Sequence, residues 1–475
     1  MAPCGYLGDA RPPRQRADRC ESIKRTEQIR NVLSKTLNCR HEIIGCALTG
    51  SLGILLLDLL LFKFNVYYFS DDVNVLYPVA VHSLTGMKGN PTRPLEYLIV
   101  LAANNIYLPL WLTASLVCTV GATILSALAC EKLFERRLSK AGWWVLGVAN
   151  PLLFYVVSQP DVVSQALSNL LFAAAMLAFV SEIDRQSDQP LGNWRADKSA
   201  SFLNLTVAAL FFTKETAVAA AIIIPVTTAV IRLKTRRFSR GFLFSLILPI
   251  ASGICWILLK LEYPFILPTD EGRDSLKLDP VLWLQNFVTN FAFPVTPLPS
   301  SFLEFERLRQ LWVIAAIGSF LFFLWLIIRE SSRRPRIVVP LLVIACSCVP
   351  MILVRSSELY PTMIAPFAVS IVLLIADARM RWLGLSYGLM LYAASLANGM
   401  MYCLGSDFNL LGLQHLKYSI YGKAYQVYPI CPIGTTAHVG WDGAAAGELP
   451  YGAPFGPLLR SEPPSLVKGK ITCIR

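Results

Sequence analysis

Charge is what this sequence has least of. Of its 475 residues only 16% are Asp, Glu, Lys or Arg, against 55% hydrophobic, and mean hydropathy is +0.52. Soluble domains carry about 25% charged residues, so a string of soluble domains is excluded. Disordered chains need the opposite balance of charge and apolar content, and are excluded too. Histidine is scarce: His41, His82, His415 and His438 are scattered, and the twelve Cys form no Cys-x-x-Cys pair. A zinc site is therefore unsupported. Neither a Walker loop nor a Gly-x-Gly-x-x-Gly is present, which removes the usual phosphate cradles for nucleotides. The one Asn-x-Ser/Thr sequon, Asn204-Leu205-Thr206, falls inside an apolar run where no glycan could be attached. No repeat of fixed period runs along the chain.

What the sequence does have is long apolar runs. Eleven read as spans: 43–62, 109–130, 142–157, 163–181, 201–212, 217–231, 242–259, 311–328, 337–354, 359–376 and 382–402, none containing Lys or Arg. A spanning helix needs about 20 residues, so the third, fifth and sixth are short. The expected fold is an all-α polytopic membrane protein of about eleven transmembrane helices.

The net charge of +12 then takes on a topological meaning. With the N-terminus inside, the cytoplasmic segments hold 27 of the 43 basic residues in far fewer positions than the outer segments, which hold 16. That asymmetry is the positive-inside pattern and requires no nucleic-acid partner. Residues 1–42 form a basic arm without the core and cleavage site of a signal peptide. The arm is expected to stay cytoplasmic, where it can touch anionic lipid. Residues 43–402 form the transmembrane domain, and 403–475 an extracytoplasmic tail. Compact loops and the lack of outer sequons favour a bacterial inner membrane with a periplasmic site.

The outer segments carry the unusual residues. Loop 63–108 contains Ser70-Asp71-Asp72 and Arg93-Pro94-Leu95, and its stretch from Leu95 to Leu108 reads as an amphipathic surface helix. Loop 260–310 is rich in Pro and aromatics. The tail, with ten Gly and seven Pro, is too loop-rich for a bundle. Its alternating Tyr425-Gln426-Val427-Tyr428-Pro429-Ile430 reads as a short strand. Cys431 and Cys473 are a candidate disulfide on the oxidising side. Gly384 and Gly388 form a weak helix-packing motif.

Several ionisable residues fall on the outer face. Asp71 and Asp72 follow the first span, and Lys88 and Arg93 precede the second. Asp161 lies in the tight turn Gln159-Pro160-Asp161, Lys214-Glu215 in the turn between the fifth and sixth spans, and Arg355 and Glu358 in that between the ninth and tenth. Singly, each reads as a helix terminator, a cap or a headgroup anchor; Asp58 inside the first span reads as a snorkelling or locally paired acid. Together they suit chemistry on a lipid-linked phosphate. A phosphate leaving group departs as an anion, so cations must stabilise developing charge. A carboxylate must take the proton of the attacking hydroxyl. Sugar transfer in one displacement needs one such base.

An Asp-Asp after the first span, an Arg-Pro-Leu about 20 residues later and a mid-chain Lys-Glu resemble the GT-C glycosyltransferases. That superfamily includes the dolichyl-phosphate-mannose protein mannosyltransferases and the lipid A aminoarabinose transferase. The stretch from Asn150-Pro151 to Asp161 and the Ser357-Glu358-Leu359-Tyr360 turn extend the likeness, which covers roughly residues 43–376. The resemblance implies that Asp71 or Asp72 is the base or a metal contact, with Asp161 as the second acid. It implies phosphate-binding roles for Arg93 and Lys88, then Lys214 and Arg355, with Glu215, Glu358 and Tyr360 in support. The expected activity is inverting transfer from a polyprenyl-phosphate-sugar donor to a glycan, lipid or protein acceptor. A divalent metal is compatible with the family but not required by the sequence. The tail beyond 403 falls outside the resemblance, which leaves the acceptor open. Two other classes stay open: a transporter or lipid flippase, and a non-catalytic membrane component of a cell-surface polysaccharide system.

Overall fold

The computed structural model describes residues 41, 43–53, 67–68, 93–95, 98–99, 110–148, 163–188, 194–235, 240–262, 279–299, 302, 306–353, 360–377, 382, 386–394 and 397, and in the tail 425–427, 436–441, 461–462 and 469–474. Helix α1 is Ile43–Gly53. It is followed by α2 (Leu110–Phe134), α3 (Lys140–Val148), α4 (Val163–Asp188) and α5 (Trp194–Leu210). Then come α6 (Val218–Lys234), α7 (Arg240–Glu262), α8 (Pro280–Ala292) and α9 (Glu306–Arg333). The set closes with α10 (Val338–Ser347), α11 (Val349–Leu353), α12 (Ala365–Asp377) and a helix over 386–394.

Among the described residues six helical stretches are long and apolar enough to cross a membrane: Thr113–Phe134, Val163–Asp184, Glu215–Lys234, Arg240–Glu262, Arg307–Arg333 and Pro335–Leu353. They match the second, fourth, sixth, seventh, eighth and ninth expected spans. Shorter apolar helices at Ile43–Gly53, Ala200–Leu210 and Ala365–Ile375 match the first, fifth and tenth. The protein is therefore a helical polytopic membrane protein. Helices are the favoured solution because every backbone N–H and C=O in hydrocarbon must be satisfied within the segment.

The two spans based on α2 and α4 are central, with 56% and 61% of their apolar windows buried by protein, whereas those of α7 and α9 have 17% and 22%. The α2–α4 contact is the largest in the fold, and α12 packs on α2. Small residues allow this closeness: Ala122, Ala127, Ala129, Ala166, Ala173 and Ala175 are all buried. Helices α1 and α3 cross at Gly50 and Gly147, where a Cβ on Gly147 would meet the Cys46 carbonyl oxygen at 2.6 Å. Gly388, from the Gly-x-x-x-Gly motif, is pressed against Val145 of α3, and a side chain there would collide with it.

Segment 260–310 contains a helix that its Pro-rich composition concealed. Asp279 caps α8, accepting the Val281 N–H at 2.9 Å and the Leu282 N–H at 3.3 Å, and Pro280 fits the first turn because its missing donor is not needed there. Asn286 then donates to the Ile352 carbonyl at 2.9 Å, fastening α8 to α11. After α8 a short 3-10 turn, Phe293–Val295, is held by Tyr387, whose hydroxyl donates to the Val295 carbonyl at 3.0 Å.

One end of the bundle is tied together by ion pairs. Arg232 of α6 donates from Nε and Nη2 to Glu182 Oε1 of α4 at 2.9 and 2.5 Å, both side chains being buried, and its guanidinium lies 4.4 Å from the Phe242 ring centroid of α7. Lys132 pairs with Asp184 at 3.6 Å, Arg136 with Glu330 at 3.2 Å, and Arg336 with Glu135. Glu131 accepts from the Leu138 N–H and the Trp143 indole, closing the α2–α3 turn. Within that turn Glu135 has φ 47, the left-handed geometry that ends many helices. This is the end expected to face the cytoplasm.

The tail contributes short strands. β1 (Tyr67–Tyr68) pairs antiparallel with β2 (Tyr425–Val427), which pairs with β4 (Ser461–Glu462). β3 (Thr436–Trp441) and β5 (Gly469–Ile474) form a separate antiparallel ladder, with His438 opposite Thr472. The strand read at Tyr425 is present over three residues, and it joins the tail to the loop after the first span.

Candidate functional site

At the opposite end, α5 stops at Leu210 and the chain turns through Phe211–Thr213. Thr213 donates its N–H and its hydroxyl to the Leu210 carbonyl, at 3.3 and 2.9 Å, which closes the helix end. Lys214 is extended, with φ -137 and ψ 146, and a single 3-10 turn, Glu215–Ala217, leads into α6. This turn packs against α11. The break is what lifts Glu215 out of the helix ladder and presents its carboxylate at the end of the bundle.

Two cations meet that carboxylate from distant parts of the chain. Arg93, from the loop before the second span, donates Nε and Nη2 to Glu215 Oε2 at 3.0 and 2.5 Å. Lys260, in the last turn of α7, donates to Oε1 at 2.8 Å. The Lys260 Nζ also lies 5.8 Å from the ring centroid of Trp256, one turn earlier on the same helix face. Arg93 and Lys260 are largely buried and Glu215 is half-buried. Charge-assisted bonds of this length are the strong class, and the trio carries a formal excess of one positive charge.

A second contact joins the start of α4 to the turn that precedes α12. Gln165 Nε2 donates to Asn169 Oδ1 at 2.8 Å, and Asn169 Nδ2 donates to Thr362 Oγ1 at 3.0 Å, with all three side chains buried. Thr362 belongs to the 3-10 turn Tyr360–Met363. The residues that follow Asp161 are thereby held against those that follow Glu358. Asn169 is bonded through both atoms of its amide, and because an unsatisfied amide is costly in an apolar interior, its two bonds fix the register of the two segments.

Of the residues read from the sequence, Arg93 and Glu215 are brought into direct contact, Lys214 adjoins them, and Tyr360 begins the turn that Asn169 holds. Asp58, Asp71, Asp72, Lys88, Asp161, Arg355, Glu358 and the Cys431 end of the candidate disulfide lie outside the described residues. Lys260 was not singled out, being one more basic residue at the end of a span, where interfacial anchors are common. Its signal is the Trp256-x-x-x-Lys260 spacing. Among the described residues no group of three His, Cys, Asp or Glu is placed to hold a metal ion.

No family model matches the chain, and no curated protein matches it. Among solved structures, the crystal structure of ArnT from Cupriavidus metallidurans bound to undecaprenyl phosphate is similar at a TM-score of 0.46 and 13% identity. The match covers 74% of this chain and 62% of that one, so the chain spans about three fifths of the length of the protein it matches.

Proposed function

We propose that this protein is a membrane glycosyltransferase that moves a sugar from a polyprenyl-phosphate-linked donor to an acceptor hydroxyl at the extracytoplasmic face, with inversion at the anomeric carbon. The observation that carries the reading is the meeting of Arg93 and Lys260 on one carboxylate at the end of the bundle remote from the paired basic loops. Two cations converging where a polyprenyl headgroup would lie suit a phosphate leaving group. As the glycosidic C–O bond breaks, the negative charge that develops on the phosphate oxygens falls to Arg93 and Lys260, with Lys88, Lys214 and Arg355 as further cations of the same face. Asp71 or Asp72 takes the acceptor proton, and Asp161 is the second acid. Glu358 and Tyr360 support the site. Transport is the less favoured reading, because transporters place their sites near the midplane on broken helices, whereas this cluster lies at one end.

Arg93→Ala and Lys260→Ala are each expected to lower kcat/KM for the lipid-linked donor about 10- to 100-fold, the effect of losing one charge-assisted bond. Their thermal stability should fall less than when a buried pair is broken outright, because Glu215 keeps its other cation in each variant. Wild-type donor kinetics in both variants would remove these cations from the site. Orientation has its own measurement. A reporter fused after Arg475 should be active when it is of the periplasmic type and silent when it is cytoplasmic; the reverse result would place the site on the wrong face.

A further inference from the structure

The carboxylate that joins the two cations has a geometry of its own. Its oxygens are divided, Oε2 taking both Arg93 bonds and Oε1 the Lys260 bond. An O–C–O group that spans two cations in this way has the arrangement of two non-bridging oxygens of a phosphate, and Arg recognises either anion with the same N–H donors. We propose that Glu215 is a resident counter-anion: it occupies the seat of the donor phosphate and gives it up when the lipid phosphate binds. This deepens the phosphate-binding reading above and rests on it.

The placement of the three side chains sets which of them moves. The Glu215 side chain is 32% exposed, against 14% for Arg93 and 20% for Lys260, so it is the least enclosed of the three. Lys260 is held beside Trp256 on a long helix. Glu215 stands on a three-residue turn at the start of α6, where the helix N-terminus still favours a carboxylate that has swung outward. Bound to both, Glu215 offsets part of the mutual repulsion of the two cations. When a phosphate arrives, its oxygens replace the carboxylate oxygens one for one. Donor affinity is then set by competition between the two anions, so that removing the carboxylate's charge should strengthen binding, whereas a purely structural Glu215 would make binding weaker when replaced.

The test is binding of farnesyl phosphate, with farnesol as control, to the full chain in nanodiscs. The wild type should bind the phosphate and not the alcohol, and Glu215→Gln should bind the phosphate about tenfold more tightly. Equal or weaker binding by Glu215→Gln, with the wild type binding normally, overturns the counter-anion and leaves the phosphate-binding reading standing. Failure of both proteins to bind farnesyl phosphate overturns both. Should Glu215→Gln fail to give monodisperse protein, Glu215→Asp serves, because it draws the charge back by one methylene. It should bind about threefold more tightly, and equal or weaker binding overturns the proposal in the same way.

Discussion

On the function proposed above, Asp71→Asn and Asp72→Asn, made singly and together, are expected to impair sugar transfer in whichever variant loses the base, with kcat falling about 10²- to 10⁴-fold. The size follows from the chemistry. A lipid phosphate is a good leaving group, so no strong acid is needed, and deprotonation of the acceptor hydroxyl is the one proton transfer the displacement requires. Asn keeps the size and hydrogen-bonding reach of Asp but cannot take that proton. The acid that is not the base should show a smaller loss, and the double variant should be no worse than the more affected single one, since both act on one step. The measurement is transfer from a radiolabelled polyprenyl-phosphate sugar, with expression and monodispersity checked for each variant. Unchanged glycan products in all three variants would end the assignment of the base to this pair.

The largest effect on stability is expected at the other end of the molecule. Arg232→Ala should destabilise the protein by about 3–5 kcal/mol, because it leaves Glu182 as a buried carboxylate without its guanidinium. It also removes the cation from the face of Phe242. Replacing both charged groups, as in Glu182→Leu with Arg232→Met, should restore much of the loss, since the pair's attraction is offset by the cost of burying two charges. Unfolding followed by thermal shift in one detergent, across wild type, Glu182→Leu, Arg232→Met and the double variant, measures the coupling directly, with Arg232→Ala run alongside. A double variant as unstable as Arg232→Ala alone would show that packing, rather than the stranded charge, sets the cost.

Spans were legible because their signal is local. Each needs only a long run without Lys or Arg, and the helices at Val163–Asp188 and Arg240–Glu262 begin and end within a few residues of the apolar limits where a charge appears, except where polar helix formers extend them. Helix α5 shows that extension: it begins at Trp194, ahead of the apolar run, because Arg195, Ala196 and Lys198 are good helix formers. Helix α8 was not legible. Its apolar residues are interrupted by Gln285, Asn286 and Thr289 and the surrounding Pro residues read as loop, so the local cap at Asp279 was passed over, while the tie to Ile352 emerges only once α11 is beside it. Gly388 was marked by its motif, but Gly147, with no motif around it, becomes a close-contact position only where α1 crosses α3.

The candidate site divides along the same line. Arg93 and Glu215 stood out because each is an ionisable residue beside an apolar run, and one shared face followed from counting spans. That they bond to each other across 122 positions was not legible, because a span count assigns depth and says nothing about neighbours around the bundle. Lys260 was lost among anchors for that reason.

The sequence by itself determined a helical membrane protein, most of its span limits and a polar end carrying both acids and bases. Those properties depend on the free energy of moving each segment from water to hydrocarbon, which adds up along the chain with little regard to tertiary neighbours. Only the tertiary structure decided that Arg93, Glu215 and Lys260 form one charge cluster, that Arg232 is buried against Glu182, and that α8 belongs to the fold. Those depend on which helices stand side by side, a matter of packing small residues such as Gly50 and Gly147 into contact, and such contacts are pairwise between residues far apart in the chain.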